Sequence, residues 1–187
     1  MRLIDREMIY SGWGRFLLLQ VELGDGRLAQ RQLEDHGEAA AVLAYDAERK
    51  VALVVRQPRV GPLYSGFEPH LVEAAAGMID PGETAAAAAI REAGEELGVQ
   101  LGRVEPVAAV WSMPGVCSER IHLYLAPYSA AHRVASGGGL ATEGEEIEVL
   151  ELPLKTLVEQ ADSGALTDMK TLALVWALAR RRPELFG

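Results

Sequence analysis

The sequence predicts an α+β fold in which a mixed β-sheet packs against helices, preceded by an N-terminal antiparallel β extension over residues 1–38. Three observations carry this expectation. Strand-like segments come first, one helix interrupts them, further strands follow, and two helices close the chain. Asp25-Gly26 lies between two segments of strand-forming residues, the favoured chemistry of a hairpin turn. Residues 83–97 keep a helical pattern that stops at Gly98, a residue suited to a left-handed C-cap.

Taken in order, residues 15–32 form the hairpin, and "AAVLAYD" and "VALVVRQ" in residues 40–57 form a second strand pair around "AERK". "VALVVRQ" is almost wholly apolar, which suits a strand covered on both faces. "PRVGPLYSGFEPH" reads as a loop rich in proline and glycine. "LVEAAAGMI" fits strand or helix by pattern, and the Asp80-Pro81-Gly82 turn after it favours a short strand. After the helix, "VEPVAAVWSMPG" and "RIHLYLAPY" read as strands, and "VASGGGLATEGEE" as an acidic loop. "IEVLELP" is a further strand. "LKTLVEQADSG" and "DMKTLALVWALARR" are helices, the second with Leu172, Val175, Trp176 and Ala179 spaced as a core stripe.

Composition narrows the function classes. With 187 residues, 49% of them hydrophobic, the chain suits one domain or one domain with a small terminal element. No apolar run approaches the roughly 18 residues of a membrane span, and residues 1–10 do not read as a signal peptide. A net charge of −9 argues against a nucleic-acid partner, because such proteins usually carry a basic face. The one cysteine, Cys117, excludes an internal disulfide and fits the cytoplasm. Its ordinary role is a small buried side chain.

The segment "GMIDPGETAAAAAIREAGEELGV", residues 77–99, carries the chemistry. Advancing 100° per residue from Ile90 places Ala86, Ala93 and Leu97 within about 60° of it. Glu95, Glu92 and Glu96 fall near roughly 140°, 200° and 240°, so the three carboxylates are expected on the face opposite the apolar stripe. Like charges one turn apart and near a helix C-terminus are mutually unfavourable. A solvated acidic face is the ordinary alternative. The neighbours favour a cation site: Gly77 and Gly82 bracket the turn that brings Glu83 to the helix start, Gly94 offers close backbone approach, and Arg91 is placed to hold a carboxylate rotamer. Magnesium takes oxygen ligands and is commonly shared between carboxylates and substrate phosphates. Glu92 and Glu96 are expected as direct ligands, with Glu95 and Glu83 sharing the cluster.

The spacing from Gly77 through Glu83 and Arg91-Glu92-Ala93-Gly94-Glu95-Glu96-Leu97-Gly98-Val99 resembles the complete box of the Nudix hydrolase family. The resemblance implies a mixed sheet between helices over residues 39–187, an α/β/α sandwich. It implies a hydrolase of a nucleoside diphosphate linked to another group, using Mg2+, with Mn2+ as a substitute. Glu92, Glu95 and Glu96 would bind metal, Arg91 would orient them, and the Ala76 carbonyl would be an extra ligand. "SMPGVCSERIHLYLAPY", with Pro114, and "RQPR", with Arg56 and Arg59, resemble the nucleoside-diphosphate-sugar branch, which acts on ADP-ribose or GDP-mannose. "GGGLATEGEEIEVLELP" is most similar to its GDP-mannose members. The hairpin at residues 15–32 resembles the strands by which that branch forms homodimers.

Glu143, Glu145 and Glu146 follow three glycines. They read either as a solubilising loop or as a closing loop whose carboxylate is the general base. Glu119 and Arg120 are further candidates for substrate contact, and Tyr64, Phe67 and Arg56 for gripping the base. No serine, cysteine or histidine constellation suits covalent attack, so water activated by metal is the expected nucleophile. A non-catalytic nucleotide-sugar sensor and an enzyme acting on nucleoside triphosphates are the rival readings.

Overall fold

The computed structural model describes residues 1–140, 144 and 146–186. The chain divides into two compact units, residues 1–38 with 110–121, and residues 39–109 with 122–187.

The first unit holds a three-stranded antiparallel sheet of β1 (Arg2–Ser11), β2 (Arg15–Glu22) and β3 (Leu28–Asp35). The hairpin expected around Asp25-Gly26 is present as β2 and β3. Gly26 takes φ 83°, and Asp25 accepts from the Arg27 N–H at 3.1 Å. β1 lies within the expected β extension, but its pattern does not mark it as a separate strand, because "RLIDREMIYS" mixes charged and apolar residues without strict alternation. It pairs with β2 through two register shifts, and every one of its residues is exposed. The end of β3 continues into a parallel bridge with residues 116–118. There the Glu34 N–H donates to the Val116 carbonyl at 2.7 Å, and the Ser118 N–H to the Glu34 carbonyl at 2.9 Å.

The second unit is built on a mixed seven-stranded sheet. The strands are β4 (Glu38–Asp46), β5 (Val51–Pro58), β6 (His70–Glu73), β7 (Ala75–Met78), β8 (Glu105–Trp111), β9 (Arg120–Pro127) and β10 (Glu148–Pro153), of which residues 38, 110–111 and 120–121 belong to the first unit. Its main path runs β10-β5-β4-β9-β8, with β6 paired to β5 and β7 to β4. "LVEAAAGMI" is therefore two short strands interrupted at Ala74. The loop after β5 contains a short helix, α1 (Val60–Tyr64).

β4 and β5 are covered on both faces, as the apolar runs require. Ala40, Val42, Ala44, Leu53 and Val55 pack with Ala88, Ala89, Ala93 and Leu97 of α2 (Ala85–Leu97). Alternation then sends Leu43 and Val54, both fully buried, to the other face. α2 starts two residues later than expected because Thr84 is its N-cap, its hydroxyl accepting from the Ala87 N–H at 3.2 Å. It stops at Gly98, which adopts φ 70° as the pattern required.

The C-terminal helices are α3 (Leu154–Ser163) and α4 (Met169–Arg181). α4 buries Thr171, Leu174, Val175 and Leu178, so the expected stripe is rotated. Trp176 stays exposed and donates its indole N–H to Asp162 of α3 at 3.1 Å. A hydrogen-bonded ring rim thus settled a position that apolarity alone assigned to the core.

Two polar ties bind α4 to the sheet. The Ala74 N–H, freed where β6 gives way to β7, donates to the Thr171 hydroxyl at 2.6 Å. Glu73, at the end of β6, is 1% exposed and accepts from Arg59 at 2.7 and 2.8 Å and from the Lys170 ammonium. Burial alone would raise the Glu73 pKa, but the two cations outweigh it and hold the carboxyl below its ordinary 4.5. The folded value lies below the unfolded one. The stabilisation is therefore complete above the ordinary carboxylate range and is lost as pH falls through the folded value. Glu73→Gln, which leaves two cations facing a neutral amide, should cost about 3 kcal/mol or more at pH 7 in urea titrations. The same variant should flatten the acid limb of the stability profile.

Candidate active site

Six of the residues singled out from the sequence meet between β7 and α2: Ala76, Glu83, Arg91, Glu92, Glu95 and Glu96. The turn after β7 aims the first of the glutamates. Gly82 has φ 86°, the Glu83 N–H donates to the Asp80 carbonyl at 2.9 Å, and the Glu83 carboxylate accepts from the Asp80 N–H at 3.2 Å.

Arg91 is the hub. Its Nε and Nη2 donate to Glu83 at 3.2 and 3.1 Å, and Nη1 donates to Glu92 at 2.7 Å and Glu95 at 2.9 Å. Nη2 also donates to the Met78 carbonyl at 2.9 Å, which fixes the guanidinium to β7. The hydrogen bonds to Glu83 raise the Arg91 pKa well above its ordinary value, with burial opposing and Glu92 and Glu95 adding to the rise. The same contacts lower the Glu83 pKa. One guanidinium against three contacted carboxylates, with Glu96 beside them, leaves a concentrated negative site.

The carboxylates do not lie on a solvated face opposite the packed stripe. Glu92 is 9% exposed and Glu96 2% exposed, because α2 packs on β7 along this side. The expected stripe of Ala86, Ile90, Ala93 and Leu97 is rotated, since the buried positions are 88, 89, 92, 93, 96 and 97. Burial holds both carboxylates in place. The Ala76 N–H donates to Glu96 Oε2 at 3.0 Å, and Gly77 faces Glu92 so closely that an added Cβ would stand 1.9 Å from Oε1. Gly77 is needed for this contact. Gly94 is not, since a Cβ there would meet only the Val99 carbonyl, at 3.9 Å.

The C-terminus of α2 is closed by the glycine-rich segment. The Gly138 N–H donates to the Glu96 carbonyl at 2.9 Å, Gly139 to Glu95 at 3.1 Å, and Val134 to Gly98 at 2.9 Å. A Cβ on Gly137 would lie 2.3 Å from the Glu96 carbonyl oxygen, and one on Gly98 would lie 2.3 Å from that of Ala135. These donors satisfy helix carbonyls that would otherwise add negative potential beside Glu95 and Glu96. Nothing in the spacing of the three glycines predicted this docking on the end of α2.

Of the loop carboxylates, Glu143 and Glu145 lie outside the described residues, and Glu146 is exposed. Arg56 sits on β5 opposite Glu148, with which it makes a 3.5 Å ion pair. Arg59 is engaged with Glu73. Its pKa is raised chiefly by those hydrogen bonds, with burial opposing and the charge of Glu96 contributing, so it lies within electrostatic reach of the cluster. Tyr64 and Phe67 are exposed. Pro114, Glu119 and Arg120 belong to the first unit, where Pro114 and Arg120 are exposed and the Glu119 N–H donates to Cys117 Sγ at 3.4 Å.

The donor set fits a hard divalent cation: carboxylate oxygens, those of Glu92 and Glu96 nearly buried, with negative charge in excess of the one arginine. Comparison with known proteins identifies the family. The profile described as NUDIX domain matches residues 35–174. A GDP-mannose pyrophosphatase of Cronobacter sakazakii is 38% identical over 160 residues, 84% of this chain and 82% of the relative. Its counterpart in Escherichia coli O1:K1 is 37% identical over 147 residues, 78% of this chain and 75% of that protein. A crystal structure described as an ADP compounds hydrolase superposes with a TM-score of 0.77 at 16% identity, covering 98% of this chain and 94% of the other. That likeness speaks to the fold.

The two helix-side glycines separate packing from site geometry. Gly77→Ala should displace Glu92 and weaken Mg2+ or Mn2+ binding by about 10–100-fold in calorimetry. Gly94→Ala should leave cation affinity unchanged and stabilise α2 by about 0.5–1 kcal/mol.

Proposed function

Because the chain belongs to the Nudix family, we propose that it hydrolyses the pyrophosphate bond of a nucleoside diphosphate sugar, with GDP-mannose favoured over ADP-ribose. The observation that carries this reading is the Arg91-centred cluster of Glu83, Glu92 and Glu95, with Glu96 fixed beside it by the Ala76 N–H. Identity of 38% across 84% of the chain to a protein named GDP-mannose pyrophosphatase supports the substrate.

In the reaction, water adds to one phosphorus, the bridging P–O bond breaks, and a nucleoside monophosphate and a sugar phosphate separate. Glu92, Glu95 and Glu96 would hold Mg2+, with Mn2+ as a substitute, and the Ala76 carbonyl is an additional donor. Such an ion, when bound, supplies charge neutralisation at the diphosphate and acidifies water. Arg91 keeps the carboxylates from repelling one another out of position. Glu143, Glu145 or Glu146 serves as the base that takes the proton of the attacking water. Arg56 and Arg59 attract the anionic substrate, and Pro114, Glu119 and Arg120 contribute contacts to it.

A second copy of the chain is the partner we assign to the first unit. β1 and the turn after it expose Leu3, Met8, Ile9, Tyr10 and Trp13 on the outermost strand of a three-stranded sheet, a surface that natural sheets usually cover. A reducing compartment, the cytoplasm, suits the buried free thiol of Cys117.

The assay is a panel of nucleotide sugars and nucleoside triphosphates with Mg2+, scored by the monophosphate released. GDP-mannose should give GMP and mannose phosphate, and Glu96→Gln should lower kcat by at least about 10–100-fold. Among Glu143→Gln, Glu145→Gln and Glu146→Gln, one should lower kcat strongly at saturating Mg2+. Tight binding with no product would contradict the proposal. Light scattering should report a dimer, and a charged residue in place of Ile9 should give monomers.

A further inference from the structure

A second group of ligating side chains lies within the first unit, away in sequence from the Arg91 cluster. Glu34 lies near the end of β3, and His36 follows directly after the strand. The parallel bridge described above brings Cys117 alongside them. Cys117 Sγ is 3.6 Å from His36 Nε2, Nε2 is 3.8 Å from Glu34 Oε1, and the three ligand atoms all lie within 4.8 Å of one another.

We propose that Glu34, His36 and Cys117 form a binding site for a borderline-soft divalent metal, zinc being the best match, distinct from the carboxylate site on α2. Three features support it. Zinc bonds of about 2.3 Å to sulfur and 2.0–2.1 Å to nitrogen, at a tetrahedral angle, put S and N roughly 3.6 Å apart. That is the separation of Cys117 and His36. The Glu119 N–H donates to Cys117 Sγ at 3.4 Å, a contact that restrains the position of the sulfur. Finally, the His36 ring is packed on Trp13 at 5.0 Å between centroids, and its buried Nδ1 has no hydrogen-bond partner among the described residues, so its polar contacts there run through Nε2 toward Cys117 and Glu34. The ring is aimed by packing at the point where the other two ligands converge.

The donor chemistry separates this site from the other one. A thiolate and an imidazole select zinc over magnesium, whereas the all-carboxylate cluster on α2 suits the harder ion. Cys117 is the only cysteine in the chain, so the site takes the three-ligand form in which solvent completes the tetrahedron on the Glu34 side. Binding releases the thiol proton to solvent as the metal–sulfur bond forms, with no change in oxidation state.

The test uses the full chain, stripped with chelator and titrated with Zn2+ in the presence of excess Mg2+. The protein carrying both Glu92→Gln and Glu96→Gln should still take up one equivalent of zinc. Cys117→Ser and His36→Ala should each lower its affinity at least tenfold. Co2+ added to the wild-type protein should give the near-ultraviolet thiolate charge-transfer band, and Cys117→Ser should abolish it. The band needs only the wild-type protein, so misfolding of a variant cannot hide the result. No charge-transfer band with Co2+, or zinc uptake that disappears with Glu92→Gln and Glu96→Gln, would overturn the proposal.

Discussion

The site depends on one guanidinium. Arg91 reaches Glu83, Glu92 and Glu95 and is itself fixed to the Met78 carbonyl of β7. Without it, Glu92 and Glu95 would repel each other near the end of a helix whose dipole already disfavours them. A planar fork with five donors suits this task, and a lysine, with one compact charge, would not span the same set. Because a single positive charge cannot neutralise the group, the excess negative potential is available to a cation. The arrangement therefore exchanges some local stability for a defined place to bind one.

Backbone geometry completes what Arg91 begins. β7 presents a glycine where Glu92 approaches and an N–H where Glu96 ends, so two carboxylates are buried against a strand and held to narrow positions. At the other end of the same turn of helix, the backbone N–H groups of residues 134–139 cover the carbonyls of Glu95, Glu96 and Gly98. Cβ atoms at Gly98 and Gly137 would prevent these contacts.

Much of this was legible in the sequence. The hairpin turn, the helix end at Gly98 and the spacing of Arg91 with the glutamates follow from local rules that tertiary contacts did not override. Burial departs from what polarity alone implies wherever a side chain finds a partner. Glu92 and Glu96 are buried because partners exist for them, Arg59 is drawn to the buried Glu73, and Trp176 stays outside because its N–H finds Asp162. β1 escaped notice because its pairing partner, β2, imposes a strand on residues with no strand pattern of their own. The convergence of His36 and Cys117 joins residues 81 positions apart, a distance over which no spacing rule operates.

The central claim is that Glu92, Glu95 and Glu96, kept in place by Arg91, form the cation site at which a diphosphate is cleaved. Crystals soaked with Mn2+ and a non-hydrolysable GDP-mannose analogue test it most directly, through the anomalous signal of manganese. The account predicts anomalous peaks about 2–2.5 Å from oxygens of these three carboxylates, with the diphosphate on the same ions. Manganese found only elsewhere, with the carboxylates still bound to Arg91 and no ion between them and the analogue, would contradict it.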